Sequence, residues 1–140
     1  MVSLFDILGP VMVGPSSSHT AGACRLGLMA RAILGGTPER ARIRLHGSFA
    51  ATGEGHGTHR ALLGGLIGLP PDDLRLRDAY DEATAAGLEW DFEKVDLGED
   101  AHPNTTIFDV ERAGERVQLR GASVGGGRIE ITEIDGFAVS

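Results

Sequence analysis

The sequence predicts an α+β fold in one domain, residues 1–140, with a mixed or antiparallel sheet packed against helices. Apolar residues recur at helical spacing in the first half of the chain, whereas from Leu88 onward they alternate with polar residues. Helices mixed with strands therefore precede a strand-rich half, an element order typical of α+β proteins. A length of 140 residues suits one domain with its own core.

The first half of the chain predicts four helices and one strand. Ser3 caps a short helix over SLFDILG. A second helix runs from about Ala21 to Leu34, where Gly35-Gly36 ends it. RARIRLHGS alternates as a half-exposed strand does, and the apolar stripe of RALLGGLIG predicts a helix that ends at Gly68. DDLRLRDAYDEATAAG, residues 72–87, predicts a further helix.

The second half predicts four strands. WDFEKVDL alternates, and TTIFDVERAGERVQLRGASVGGGRIEITEI contains three strands separated by turns at AGE and GGG. Glycine is about twice as frequent as usual, at 21 of 140 residues. Such a content indicates tight turns or a backbone that closely approaches a ligand or neighbour.

Composition argues against several classes of protein. The net charge is −7, and the densest basic group is only Arg40, Arg42 and Arg44, which argues against nucleic acid as a partner. Cys24 is the only cysteine, so this chain alone builds no disulfide and no iron–sulfur cluster. No stretch reaches the ~18 apolar residues that cross a membrane, and no secretory signal is recognisable. We therefore expect a cytoplasmic protein without membrane contact.

The first candidate site is the loop GPSSSHTAG, which precedes an apolar helical run. Its hydroxyl groups and the free N–H groups of a helix start form a cradle for a carboxylate or phosphate. His19 adds an imidazole whose usual pKa suits a general base. A plainer alternative stays open, in which the serines only cap the helix and the histidine is solvated.

The second candidate site is the loop GEGHGTH, where alternate glycines indicate close approach of the backbone to another group. Its spacing matches neither the dinucleotide fingerprint nor the phosphate-binding P-loop. A zinc site at Glu54, His56 and His59 lacks the i, i+4 spacing of the helical zinc motif. A Ser18–His19 nucleophile lacks the G-x-S-x-G elbow. A third motif, HPNTT, is more simply a loop before a strand.

These motifs together, over Phe5 to Phe137, resemble the β chain, or β domain, of the iron–sulfur-dependent bacterial L-serine dehydratases (L-serine ammonia-lyases). The resemblance rests on GPSSSHTAG, GSFAATGEGHGTHRALLGG, HPNTT and GGGRIEITEIDGF in this order. It implies conversion of L-serine to pyruvate and ammonia without pyridoxal phosphate. It also implies a [4Fe–4S] cluster held by cysteines of a partner α chain, with an open iron site that takes the substrate hydroxyl.

The same resemblance implies roles for individual residues. His19 and His56 are the expected catalytic histidines, and no metal ligand is expected in this chain. The expected substrate-binding residues are Ser16, Ser17, Ser18, Thr20 and Asn104. The expected partners are the α chain, L-serine and a second β chain, and the chain is expected to be inactive alone. Lys94, the only lysine, lies in no Schiff-base setting.

One residue departs from the family pattern, because His59 stands where members usually have an acidic residue after GHGT. Either His59 faces elsewhere, or the basicity of His56 is set by Glu54 or by the partner, so His19 is the first candidate for the base. An ACT-type regulatory domain often follows ITEIDGF in two-chain relatives. We expect a naturally short β chain or one cut at that boundary.

The alternative function is a non-catalytic regulatory module that binds a small carboxylate. The β domain is also similar to the allosteric substrate-binding domain of some phosphoglycerate dehydrogenases, which favours this alternative.

Overall fold

The computed structural model describes residues 18–52 and 57–138. Within these ranges the chain forms helices α1 (Ser18–Leu34), α2 (Gly47–Thr52), α3 (Thr58–Leu66) and α4 (Ala79–Ala85), with a 3-10 helix at Leu74–Asp78. The strands are β1 (Arg40–His46), β2 (Glu89–Val95), β3 (Thr105–Arg112), β4 (Glu115–Gly125), β5 (Arg128–Ile134) and β6 (Phe137–Ala138). The predicted helix over SLFDILG lies outside the described residues.

The six strands form one mixed sheet in the order β2-β1-β3-β4-β5-β6. β1 and β2 are parallel, and every other neighbouring pair is antiparallel. Strands dominate the chain from β2 onward. The predicted α+β class, the mixed sheet and the strand-rich C-terminal half are therefore confirmed.

The core lies between one face of the sheet and the helices. Alternate residues of β1, namely Ala41, Ile43 and Leu45, are buried and pair in register with β3. The helices add fully buried Leu26 and Leu62 to the same cluster. The periodic spacing of apolar residues in the strands and in the helices thus places them in one hydrophobic core between the sheet and the helices.

The other face of the sheet is polar, because the intervening residues of β1 are arginines. Each arginine pairs with a carboxylate on a neighbouring strand. These pairs are Arg40–Glu89 at 3.4 Å, Arg42–Asp91 at 3.4 Å and Arg44–Asp109 at 2.8 Å. The densest basic group of the sequence is therefore part of a cross-strand charge ladder.

Most predicted elements of the described ranges are confirmed, but α2 and the short β6 were not predicted, and one predicted helix needs correction. The helix expected over 72–87 is instead a 3-10 helix followed by the shorter α4. The Leu-Arg alternation of LRLR has period two, so Leu74 is 76% exposed while Leu76 is half-buried. One α-helical face therefore cannot bury both leucines. Within the described residues, no helix is long and apolar enough to cross a membrane.

Candidate site at the first turns of two helices

Helices α1 and α3 run side by side in the same direction. A Cβ built on Gly57, just before α3, would lie 3.7 Å from Cγ2 of Thr20 in the first turn of α1. Further along, a Cβ on Gly65 would lie 3.0 Å from the Cα of Gly27. At the far end Gly68 lies against Arg31. The first turns of the two helices are therefore adjacent.

The first turn of α3 has no side-chain cap within the described residues. Gly57 occupies the N-cap position with φ 76° and ψ 8°, a left-handed conformation that glycine adopts without strain. Its carbonyl accepts the N–H of Ala61 at 3.0 Å, but no side chain caps the helix. Uncapped N–H groups and the positive end of the helix dipole favour an anion.

The loop before β3 lies at the same end of the domain. Ser48, in the first turn of α2, donates its N–H to the carbonyl of Pro103 at 2.8 Å. The N–H of Ser123 donates to the carbonyl of Asn104 at 3.1 Å. Ser123 in turn fills the space beside Gly22 of α1. The HPNTT segment is therefore a loop before a strand, as predicted, and Ser123 links it to α1.

Three buried polar atoms at the starts of α3 and β3 have no hydrogen-bond partner within the described residues. They are Thr58 Oγ1, Asn104 Oδ1 and Thr106 Oγ1. Both threonines are 0% exposed. Because buried polar groups are nearly always hydrogen-bonded in folded proteins, the partners of these three oxygens lie outside the described residues, in the rest of the chain, a water or a polar ligand. These two hydroxyl groups and one amide oxygen suit a small polar molecule better than an apolar one.

The predicted site residues are only partly within the described ranges. Ser16, Ser17 and His56 lie outside them. Ser18 and His19 occupy the first two positions of α1. Thr20 is half-buried, and its Cγ2 would lie 3.7 Å from a Cβ built on Gly57. Asn104 is half-buried, and its Nδ2 donates to the Ser123 carbonyl at 3.5 Å.

His59 packs against the sheet. Its ring stacks on Phe92 of β2 with ring centroids 3.9 Å apart and an interplanar angle of 7°. Because His56 lies outside the described residues, both expectations for His59 stay predictions. In residues 18–52 and 57–138, no three His, Cys, Asp or Glu side chains are grouped as a metal site. Glu54 and His56, the other members of the zinc alternative, lie outside those residues.

Cys24 does not fit a ligand or nucleophile. Its side chain is 0% exposed, and its Sγ donates to the carbonyl of Leu69 at 3.1 Å. Burial raises the pKa of this thiol to about 12. A metal or iron–sulfur cluster binds the thiolate, so this chain's own thiol does not suit a [4Fe–4S] cluster.

Two residues at this end of the domain were not predicted from the sequence. Thr58 is the last residue of GHGT, and its buried hydroxyl, which has no partner in the part of the chain that the structure describes, became evident only in three dimensions. Arg25 is 1% exposed although it is charged, and its Nη1 donates to the carbonyl of Gly127 at 2.7 Å. A charged residue inside the apolar run of α1 was the available signal for Arg25.

The fold and this arrangement define an α+β domain with a polar site at the start of two parallel helices. The chain belongs to the serine dehydratase beta chain family, which it matches over residues 3–133. It is 45% identical over 139 residues to the L-serine dehydratase beta chain of Peptoniphilus asaccharolyticus. It is 47% identical over 135 residues to the probable L-serine dehydratase beta chain of Bacillus subtilis (strain 168).

These similarities cover nearly all of this chain but not all of the relatives. The first match covers 98% of this chain and 62% of the relative, and the second covers 96% and 61%. The L-serine dehydratase 2 of Escherichia coli (strain K12) is 41% identical over 80 residues, which are 53% of this chain and 17% of that protein. The chain thus spans about three fifths of the first two relatives' length.

Proposed function

We propose that this chain is part of the β subunit of an L-serine dehydratase, which converts L-serine to pyruvate and ammonia together with an α chain. The observation that carries the proposal is the nearness of Thr20 and Gly57, since a Cβ built on Gly57 would lie 3.7 Å from Thr20 Cγ2. Thr20 ends the SSSHT motif and Gly57 belongs to GHGT, which supports a site that both motifs share. Family membership supports the same activity. In the Escherichia coli relative the matching segment is a small part of a longer chain, in keeping with a domain that works beside a larger one.

The first turns of α1 and α3 would bind the substrate carboxylate. Both offer backbone N–H groups and the positive end of a helix dipole. Ser16, Ser17, Ser18 and Thr20 would add hydroxyl donors, and Asn104 and Thr58 would contact the polar part of the substrate. Such contacts fix the Cα–H bond relative to the base, which is the main purpose of binding groups in catalysis.

Proton removal from Cα would fall to His19, with His56 as the second candidate. A neutral imidazole accepts the α-proton, and the β-hydroxyl leaves as water after protonation. The resulting enamine tautomerises to an imine, which water hydrolyses to pyruvate and ammonia. The [4Fe–4S] cluster, held by cysteines of the α chain, would assist departure of the hydroxyl group. Because Cys24 is the only cysteine, this chain cannot supply the thiolates of such a cluster, so the chain alone would be inactive.

Activity of the complex tests this proposal. The full-length β chain is co-expressed with its α chain, and pyruvate release is measured anaerobically. His19→Ala and His56→Ala are each expected to lower kcat by about 10²–10⁴-fold, the usual contribution of a general base. Thermal unfolding of each variant checks that it folds. Full activity of both variants would overturn the assignment. The mass of the complex tests the predicted association of two β chains.

A regulatory module that binds a small carboxylate is the second candidate. It is favoured by the composition of the site, because the described residues around it offer hydroxyl, amide and N–H groups, which suit a small carboxylate. Such a module would bind L-serine without the α chain, whereas a shared catalytic site needs both chains. Ligand binding by the isolated chain separates the two functions.

A further inference from the structure

Helix α1 carries a buried cation that reaches the end of the β4–β5 hairpin. Arg25 is 1% exposed, and its Nη1 donates to the Gly127 carbonyl at 2.7 Å. The two residues are 102 positions apart in the sequence. Burying a guanidinium group costs free energy unless the group is hydrogen-bonded. The hydrogen bond to Gly127 therefore constrains the position of the Arg25 side chain.

The hairpin end that Arg25 holds is a turn of three glycines. Gly125, Gly126 and Gly127 all have positive φ, at 108°, 62° and 77°. Glycine has the largest backbone freedom of any residue, so such a turn needs an external contact to keep one position. A Cβ on Gly127 would lie 3.5 Å from Cβ of Ala21, which places the turn beside the first turns of α1.

Strand β4 connects this turn to the Asn104 loop. Ser123, two residues before the turn, fills the space beside Gly22 of α1. Its N–H donates to the Asn104 carbonyl at 3.1 Å, and its carbonyl accepts Asn104 Nδ2 at 3.5 Å. The position of Asn104 relative to α1 therefore depends on how the end of β4 is held against that helix.

We propose that Arg25 is a positioning residue, which clamps the glycine turn onto α1 and thereby fixes Asn104 relative to the first turn of that helix. The proposal rests on the proposed function, because this first turn belongs to the L-serine site. Arg25 itself needs no contact with the substrate. Its loss would loosen the hairpin end, misplace Asn104 and weaken substrate binding more than the chemical step.

The test uses Arg25→Met, which keeps much of the side-chain volume and removes the donor. Arg31→Met is the matched control, because Arg31 lies on the same helix and donates to Thr37 Oγ1 at 3.2 Å, away from the hairpin. Hydrogen–deuterium exchange is measured on the β chain over residues 121–131. We expect exchange there to become roughly tenfold faster or more in Arg25→Met, with no change in Arg31→Met.

Kinetics of the complex with the α chain give the second readout. We expect Arg25→Met to raise KM for L-serine roughly tenfold with a smaller change in kcat, because misplaced binding groups act on substrate binding. A lower kcat at unchanged KM would indicate only less folded enzyme and would overturn the proposal. Unchanged exchange over residues 121–131 would overturn it as well.

Two further measurements keep the test decisive. If Arg25→Met does not fold, Arg25→Lys takes its place. A lysine ammonium group lacks the planar set of donors of the guanidinium group, so this variant should also raise KM. His19→Ala, measured in parallel, reports on the proposed function alone. Loss of activity in His19→Ala with normal KM in Arg25→Met would reject the clamp and leave the proposed function in place.

Discussion

Gly27 of α1 and Gly65 of α3 face each other where the two helices pack, and a Cβ on Gly65 would lie 3.0 Å from the Gly27 Cα. The same Cβ would lie 2.8 Å from the backbone nitrogen of Leu28. The two helix backbones are therefore in direct contact, without side chains between them. This close approach keeps the described first turns of both helices side by side, with Thr20 of α1 near Gly57.

Gly65→Ala is expected to destabilise the fold by about 2 kcal/mol or more, because the methyl group meets backbone atoms that cannot move alone. The better helix propensity of alanine offsets only up to about 1 kcal/mol of this. Gly64→Ala is the matched control, since its methyl group would meet the mobile end of the Leu76 side chain. Urea unfolding measures both. Equal losses for the two variants would contradict the backbone contact.

Thr58→Val is expected to leave the free energy of unfolding unchanged or to raise it by up to about 1 kcal/mol. The substitution removes a buried hydroxyl that has no partner within the described residues. Thr105→Val is the comparison, because the Thr105 hydroxyl donates to the His102 carbonyl at 2.6 Å and its loss should cost about 1 kcal/mol. Denaturant unfolding distinguishes them. In the complex with the α chain, we expect Thr58→Val to lower kcat/KM.

The thiol of Cys24 is expected to be unreactive in the folded chain. Burial raises its pKa from 9.0 to about 12, so at pH 8 the thiolate fraction falls on the order of a thousandfold. Reaction with Ellman's reagent should be correspondingly slow and become rapid in denaturant. Fast labelling of the native chain would contradict the buried position and its hydrogen bond to Leu69.

The same pKa predicts a loss of stability in alkali. The pKa is higher in the folded chain, so the unfolded chain releases the thiol proton first as pH rises. This stabilising contribution is complete below pH 9 and is lost toward pH 12, by about 1.4 kcal/mol per pH unit. Urea unfolding between these pH values measures the slope. Cys24→Ala should show a shallower slope, and identical slopes would contradict the prediction.

The periodicity of apolar residues was enough to predict most of the described helices and strands, but not how they pair and pack. It identified β1 and β2 as strands, but their parallel pairing depends on contacts between segments far apart in sequence. α2 was missed because it follows His46 at the end of β1 directly, without a capping residue. Its Ser48 N–H instead bonds to the Pro103 carbonyl. Tertiary contacts of this kind leave no local signal.

The candidate site was predicted as motifs rather than as a geometry. The resemblance proposed that the SSSHT and GHGT segments act together, and the contact of Thr20 with Gly57 adds the proximity. Thr58 gave no local signal, because its importance comes from burial in the folded chain. The charge of Arg25 inside an apolar run was a signal, but its partner Gly127 is 102 positions away. The catalytic roles of His19 and His56 stay predictions.

The most direct test of the central claim is a calorimetric titration with L-serine. The claim is that the first turns of α1 and α3 form one half of a site that the α chain completes. The titration compares the isolated β chain with its complex with the α chain, in which His19→Ala blocks turnover. We predict saturable binding to the complex and none to the isolated chain. Binding of comparable affinity to the isolated chain would contradict the claim and favour the regulatory module.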